Sequence, residues 1–185
     1  MRLKKARVTP LPEAEWSDEV RAELEPTRAG VGLPNPPNVL ATIARHPKLL
    51  KRWNVFGNHI LFKSTLSPRH REILILRIGW LCKSGYEWGQ HVRIGKRAGL
   101  TDADIERIRQ GPDAAGWDPF EATLVRVTDE LHRDAFVSDS TWSALAERYD
   151  TQQLMDTVFT VGQYNLVSMA LNSFGVQLDE GVEGF

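Results

Sequence analysis

Two acids, an imidazole and a guanidinium fall between positions 72 and 91 of this 185-residue chain. In the stretch SGYEWGQHVRIGKRAGL, residues 84–100, Glu87 and His91 stand four apart, so on a helix they share a face and come within hydrogen-bonding reach. A carboxylate beside an imidazole stabilises the imidazolium and orients the ring, which prepares a histidine for proton transfer. The same spacing also occurs in plain surface pairs that contribute only about 0.2–0.5 kcal/mol. Upstream, Glu72 opens the apolar run ILILRIGWLC and Arg77 lies inside it. A charge in such a run must be paired or must line a cavity, because desolvating it alone is costly. Glu72 and Arg77 are five apart and point in different directions, so each is expected to find a partner on another element. A buried structural ion pair and a catalytic role are both open for them.

The elements that position these groups read as helices. TLSPRHREILILRIGWLCK opens with Ser67 as N-cap and Pro68 at N1, stays apolar on nearly every side, and breaks at Lys83-Ser84-Gly85; it predicts the central buried helix. A strand over ILILRI is the alternative for so short an apolar run. The next helix spans 86–98 and stops at Gly99, and TDADIERIRQG repeats the pattern between Thr101 and Gly111. Before the central helix, a short helix is expected at 17–25, a Pro/Gly-rich loop at 29–39, and helices over 36–46 and 47–63. After it come DPFEATLVRVTDELHRD, a helix capped by Ser138, and a long one over 151–173 that is apolar or small on more than one face. That helix is expected to pack against its own chain and a second subunit. The predicted class is all-α, with an N-terminal arm over 1–37 and a helical domain over 38–185.

Composition narrows the partners. With 42% apolar and 25% charged residues and a net charge of −1, the chain matches ordinary globular proteins, and its dispersed Lys and Arg argue against a nucleic-acid partner. The single cysteine, Cys82, rules out an internal disulfide and fits a cytoplasmic location. No apolar stretch approaches the roughly 20 residues of a membrane span. The five histidines contain no His-x-x-x-His pair, and PRHRE around His70 reads as a solvated helix start, so neither a metal nor another cofactor is expected.

Glu72, Ser84, Glu87 and His91 reproduce the spacing of the Glu…Cys-x-x-Cys-x-x-x-His motif, so the chain resembles alkylhydroperoxidase D-like proteins of the carboxymuconolactone decarboxylase family. Ser84 and Glu87 stand where that motif has its cysteines. The Glu-x-x-x-His-Val form, Glu87 to Val92, is similar to the thiol-free branch that includes γ-carboxymuconolactone decarboxylase; RAGLTDADIERI also resembles the family, and the similarity runs over roughly 38–173. The resemblance implies a compact multi-helix bundle that forms homo-oligomers with pockets at or near subunit contacts. Disulfide-based peroxide reduction is not expected, because it needs a thiolate and a resolving thiol, and the solitary Cys82 reads as a packed small hydrophobe.

What the resemblance implies instead is a cofactor-free, decarboxylase-like lyase acting on a small carboxylated lactone or ring-containing metabolite. His91 is then the proton donor or shuttle, Glu87 its orienting partner or a second acid/base, and Glu72 a relay carboxylate. Arg77 offers a bidentate fork for a carboxylate or oxyanion, and Trp88, Tyr86 and His59 are candidate pocket walls. A lactone hydrolase or isomerase on the same scaffold, and a non-catalytic helical oligomeric binding protein, are the alternatives.

Overall fold

The computed structural model describes residues 3–31 and 35–185, the side chains of 27–31 excepted. Nine α-helices are present among the described residues: α1 Asp18–Val31, α2 Asn38–Ile43, α3 Pro47–Asn58, α4 Pro68–Leu81, α5 Gly85–Arg97, α6 Asp102–Gln110, α7 Pro119–Asp134, α8 Asp139–Ala146 and α9 Thr151–Phe174. No strand occurs among them, so ILILRI is helical. None of the helices is long and apolar enough to cross a membrane. The loop expected at 29–39 falls partly on 32–34, outside the described residues.

Local chemistry sets most of the boundaries. The Ser67 hydroxyl accepts from the His70 N–H ahead of Pro68, and Thr101 with Asp104 and Asp150 with Gln153 form reciprocal capping boxes. Gly175 closes α9 in the left-handed region at φ 68°, where a side chain would be strained. Three elements depart from expectation, the first being α2, which covers only Asn38–Ile43 of the expected 36–46. α1 runs six residues beyond 25, through Pro26, with Val20 and Leu24 buried against Leu50 of α3. The helix expected over 47–63 is α-helical only to Asn58 and continues as a π-helical turn, His59–Lys63. Beyond this turn Asp156 of α9 accepts from the Thr65 N–H at 2.6 Å, the Thr65 hydroxyl at 2.8 Å and the Ser64 hydroxyl at 3.2 Å.

α4 is the axle of the fold and packs against α5, α6, α7 and α9. Its Ile73, Leu74, Ile75, Leu76 and Ile78 are wholly buried, each worth about 1.5–3 kcal/mol of transfer free energy as an upper bound. Lys83, at φ 53°, reverses the chain, and the Ser84 N–H donates to the Gly79 carbonyl at 2.9 Å. α5 therefore returns alongside α4, with Gly79 facing Glu87: a Cβ there would lie 3.5 Å from Glu87 Cγ. This hairpin sets Glu87 and His91 against the helix that carries Glu72. The segment after α9 straps the opposite side of α5, where a Cβ at Gly89 would come within 2.4 Å of the Glu183 carbonyl oxygen.

Candidate active site

Ser84, Glu87 and His91 fall on one stripe of α5 and all three are buried. His91 Nδ1 lies 2.6 Å from Glu72 Oε2, and Nε2 lies 2.9 Å from Glu87 Oε1. The ring therefore spans two carboxylates from different helices. Arg71 Nε donates to the other oxygen of Glu72 at 3.2 Å, and Tyr164 of α9 sets its ring edge-on to the imidazole, centroids 4.9 Å apart. Four alternating charges, Arg71, Glu72, His91 and Glu87, thus sit in line in the interior, which is how buried charge is tolerated.

Burial alone would lower the His91 pKa, but the charges of Glu72 and Glu87 and their hydrogen bonds outweigh it and hold the imidazolium up to about 10. Burial, reinforced by Glu87 and Glu72, pushes the Tyr164 phenol well above its ordinary value. At neutral pH the ring is a cation donating both N–H groups, so it has no free nitrogen to present to a substrate. A proton can leave it only along the line, toward Glu72 or Glu87. Glu72 is wholly buried and has both oxygens engaged. Glu87 Oε2 has no partner among the described residues, which makes Glu87 the end of the line that can meet another molecule.

The structure thus brings together three of the residues singled out in the sequence, Glu72, Glu87 and His91, and places the other four elsewhere. Arg77, the candidate carboxylate clamp, has its guanidinium engaged within the fold. Its Nε and Nη2 donate to both oxygens of Asp129 at 2.6 and 2.8 Å, and Nη1 donates to the carbonyls of Ile108 and Arg109 at 2.8 and 2.9 Å. It fastens α4 to α6 and α7. Tyr86 turns the other way, its hydroxyl donating to Asp179 Oδ2 at 2.7 Å in the C-terminal strap. Trp88 packs with Trp80 and Phe185 beneath the Arg109 guanidinium and lines a hollow of about 300 Å³ together with Val92, Ile105 and Glu106. His59 is half exposed, 3.4 Å from Asp156, two helical turns of α9 from Tyr164.

Two members of the cluster escaped the sequence reading. PRHRE is not a solvated helix start: Arg69 pairs with Glu121, His70 Nδ1 lies 2.7 Å from the Tyr149 hydroxyl, and Arg71 with Glu72 leads into the core. The adjacency of Arg71 to Glu72 was a usable signal; Tyr164, on a distant helix, offered none. Cys82 is buried and donates to Asn165 Oδ1 at 3.1 Å.

The fold is that of the AhpD-like helical proteins. It superposes on the AhpD-core, peroxidase-related protein from Ralstonia eutropha JMP134 with a TM-score of 0.82 at 17% identity, over 94% of this chain and 93% of that one. A peroxidase-related protein from Silicibacter sp. TM1040 gives 0.78 at 17% identity over 97% and 92%. The debrominase Bmp8 in complex with 2,3,4-tribromopyrrole gives 0.78 at 11% identity over 96% and 94%. Residues 47–130, which include Glu72, Ser84, Glu87 and His91, match the model of the Carboxymuconolactone decarboxylase family. At these identities the structural likeness concerns the fold and not the reaction. No curated protein matches the chain in sequence.

Proposed function

We propose that the protein is a cofactor-free, decarboxylase-like lyase whose substrate is a small carboxylated lactone or related ring metabolite, with Glu87 as the group that delivers and removes protons. The observation that carries this reading is the His91 ring held between Glu72 and Glu87 as a cation, a proton store behind a carboxylate with one free oxygen. In the reaction, the bond between the ring carbon and the substrate carboxylate breaks, CO2 leaves, and the electron pair passes into the enolate of the neighbouring carbonyl. His91 Nε2 passes its proton to Glu87, which delivers it to the carbon. The ring recovers its proton from solvent, so one proton is consumed per CO2 released. Glu72, supported by Arg71, keeps the ring oriented and cationic between turnovers.

The test is to supply purified protein with a panel of γ-lactone acids and β-keto acids in D2O and follow CO2 release and deuterium incorporation by NMR. Release of CO2 with one deuteron placed at the former carboxyl carbon is expected. Deuterium exchange without CO2 would convert the reading into isomerase chemistry, and an inert protein across the panel would contradict it.

Self-association belongs to the same proposal. Met155, Phe159, Leu166 and Met169 are each more than half exposed and, with Gly162, recur on α9 at spacings of four and three, the period of a helix–helix seam. The stripe is nearly symmetric about Gly162, where an added Cβ would touch nothing, so an antiparallel second copy would set Met155 against Met169 and Phe159 near Leu166. Asp156, buried, is the one charged residue of α9. Leu166→Asp is expected to convert an oligomer into a monomer in sedimentation velocity without loss of helicity. A wild-type protein that sediments as a monomer at micromolar concentration would contradict the assignment.

A further inference from the structure

We propose that the first turn of α5, together with the hydroxyls of Ser84 and Ser168, is the subsite that holds the carboxylate or developing enolate oxygen of the substrate on which Glu87 acts. This rests on the proton-transfer reading above and extends it to the chemistry of substrate recognition.

Ser84 occupies the N-cap position of α5, where a serine ordinarily accepts from an N–H of the first turn, yet its side chain caps nothing. It is wholly buried and its hydroxyl has no hydrogen-bond partner. Buried hydroxyls are nearly always satisfied, so an orphan one calls for an explanation. Ser168 is a second case, also wholly buried and unpartnered. Their placement converges. On α9, Tyr164 meets His91 edge-on and Asn172 Nδ2 donates to the Cys82 carbonyl at 2.9 Å. Ser168 lies one turn from each on the same helix, opposite the start of α5.

The backbone adds donors at the same place. The first intrahelical bond of α5 runs from the Trp88 N–H to the Ser84 carbonyl, so the N–H groups of Gly85, Tyr86 and Glu87 have no helical acceptor. None of the three donates to a described residue. A 13-residue helix presents its positive end here. Arg71 and His91 balance Glu72 and Glu87, so the cluster as a whole does not repel a monoanion. Two hydroxyls and an open helix terminus one turn from Glu87 fit a planar anionic oxygen group. Donors of this kind stabilise negative charge as it develops on an enolate.

The probe is 5-oxotetrahydrofuran-2-carboxylate, a γ-lactone acid, with its methyl ester as the uncharged control, each titrated into 15N-labelled full-length protein at neutral pH. The acid is expected to shift the amide signals of Gly85, Tyr86 and Glu87 and to bind about tenfold tighter than the ester. Ser84→Ala is expected to weaken the acid about tenfold and leave the ester and the thermal midpoint nearly unchanged, since the lost hydroxyl bonds nothing in the free protein. Ser168→Ala, with the same direction of change, provides a second variant. Equal affinity for acid and ester, amide shifts confined to other elements, or full affinity in Ser84→Ala would overturn the proposal and leave the two hydroxyls as sites for water alone. Turnover by Glu87→Gln is a separate readout: it tests the role of Glu87 and can fail while this titration succeeds, or the reverse.

Discussion

Glu87→Gln is expected to reduce turnover about 10²- to 10⁴-fold while the protein stays folded. The substitution keeps the shape of the side chain and its place against Gly79, but an amide neither accepts the proton from His91 Nε2 nor delivers it. The ring keeps Glu72 at 2.6 Å and remains oriented. The loss is therefore predicted in kcat rather than in KM, because the carboxylate matters while a proton moves and contributes little to holding the substrate. His91→Gln is expected to lose activity through the same line but with a stability penalty as well, since it leaves two buried carboxylates facing each other. Steady-state kinetics on the panel acid that releases CO2, together with a thermal melt, separates the two variants. A Glu87→Gln protein within threefold of wild type would remove Glu87 from the chemistry.

The largest stability effect is expected at Arg77. Arg77→Ala abandons both oxygens of Asp129 and the carbonyls of Ile108 and Arg109 in a nearly closed environment. Breaking a buried pair from one side costs about 3–5 kcal/mol, which for a domain of this size lowers the melting temperature by roughly 6–20 °C. Lysine is not expected to rescue it, because an ammonium cannot repeat the bidentate geometry on Asp129 while also reaching two carbonyls. Urea unfolding followed by circular dichroism measures the loss. An unchanged midpoint accompanied by weakened substrate binding would return Arg77 to the role of a carboxylate clamp.

The contrast between Arg77 and His91 marks what was legible in the sequence. Both stood out as polar groups in apolar company, and both are buried in ion pairs. Spacing identified the Glu87 partner of His91, because i and i+4 on a helix are neighbours whatever the tertiary fold. It offered no guide to Asp129, which is 52 residues from Arg77. The caps at Ser67, Thr101, Ser138 and Asp150 operate within three residues, and the helix starts they set agree with expectation. Tyr86 and Trp88, named as candidate pocket walls, each lie about 100° around α5 from Glu87. Their directions followed from helix geometry alone: one meets the C-terminal strap and the other the Trp80–Phe185 cluster. Tyr164 and Ser168 depend on how α9 crosses α5, which no local pattern specifies.

The proposed chemistry turns on the charge of one ring. The pKa of His91 is raised in the folded state, so its contribution to stability is complete below the ordinary value of 6.5 and is lost as pH rises through about 10. The measurement that reaches this most directly is a pH titration of the His91 15Nδ1 and 15Nε2 shifts in the folded protein. Both nitrogens are predicted to stay protonated through neutrality, with a single transition near 10 that moves sharply down in Glu72→Gln. A neutral tautomer at pH 7, titrating near 6.5 and indifferent to Glu72, would contradict the proton store on which the proposed chemistry depends.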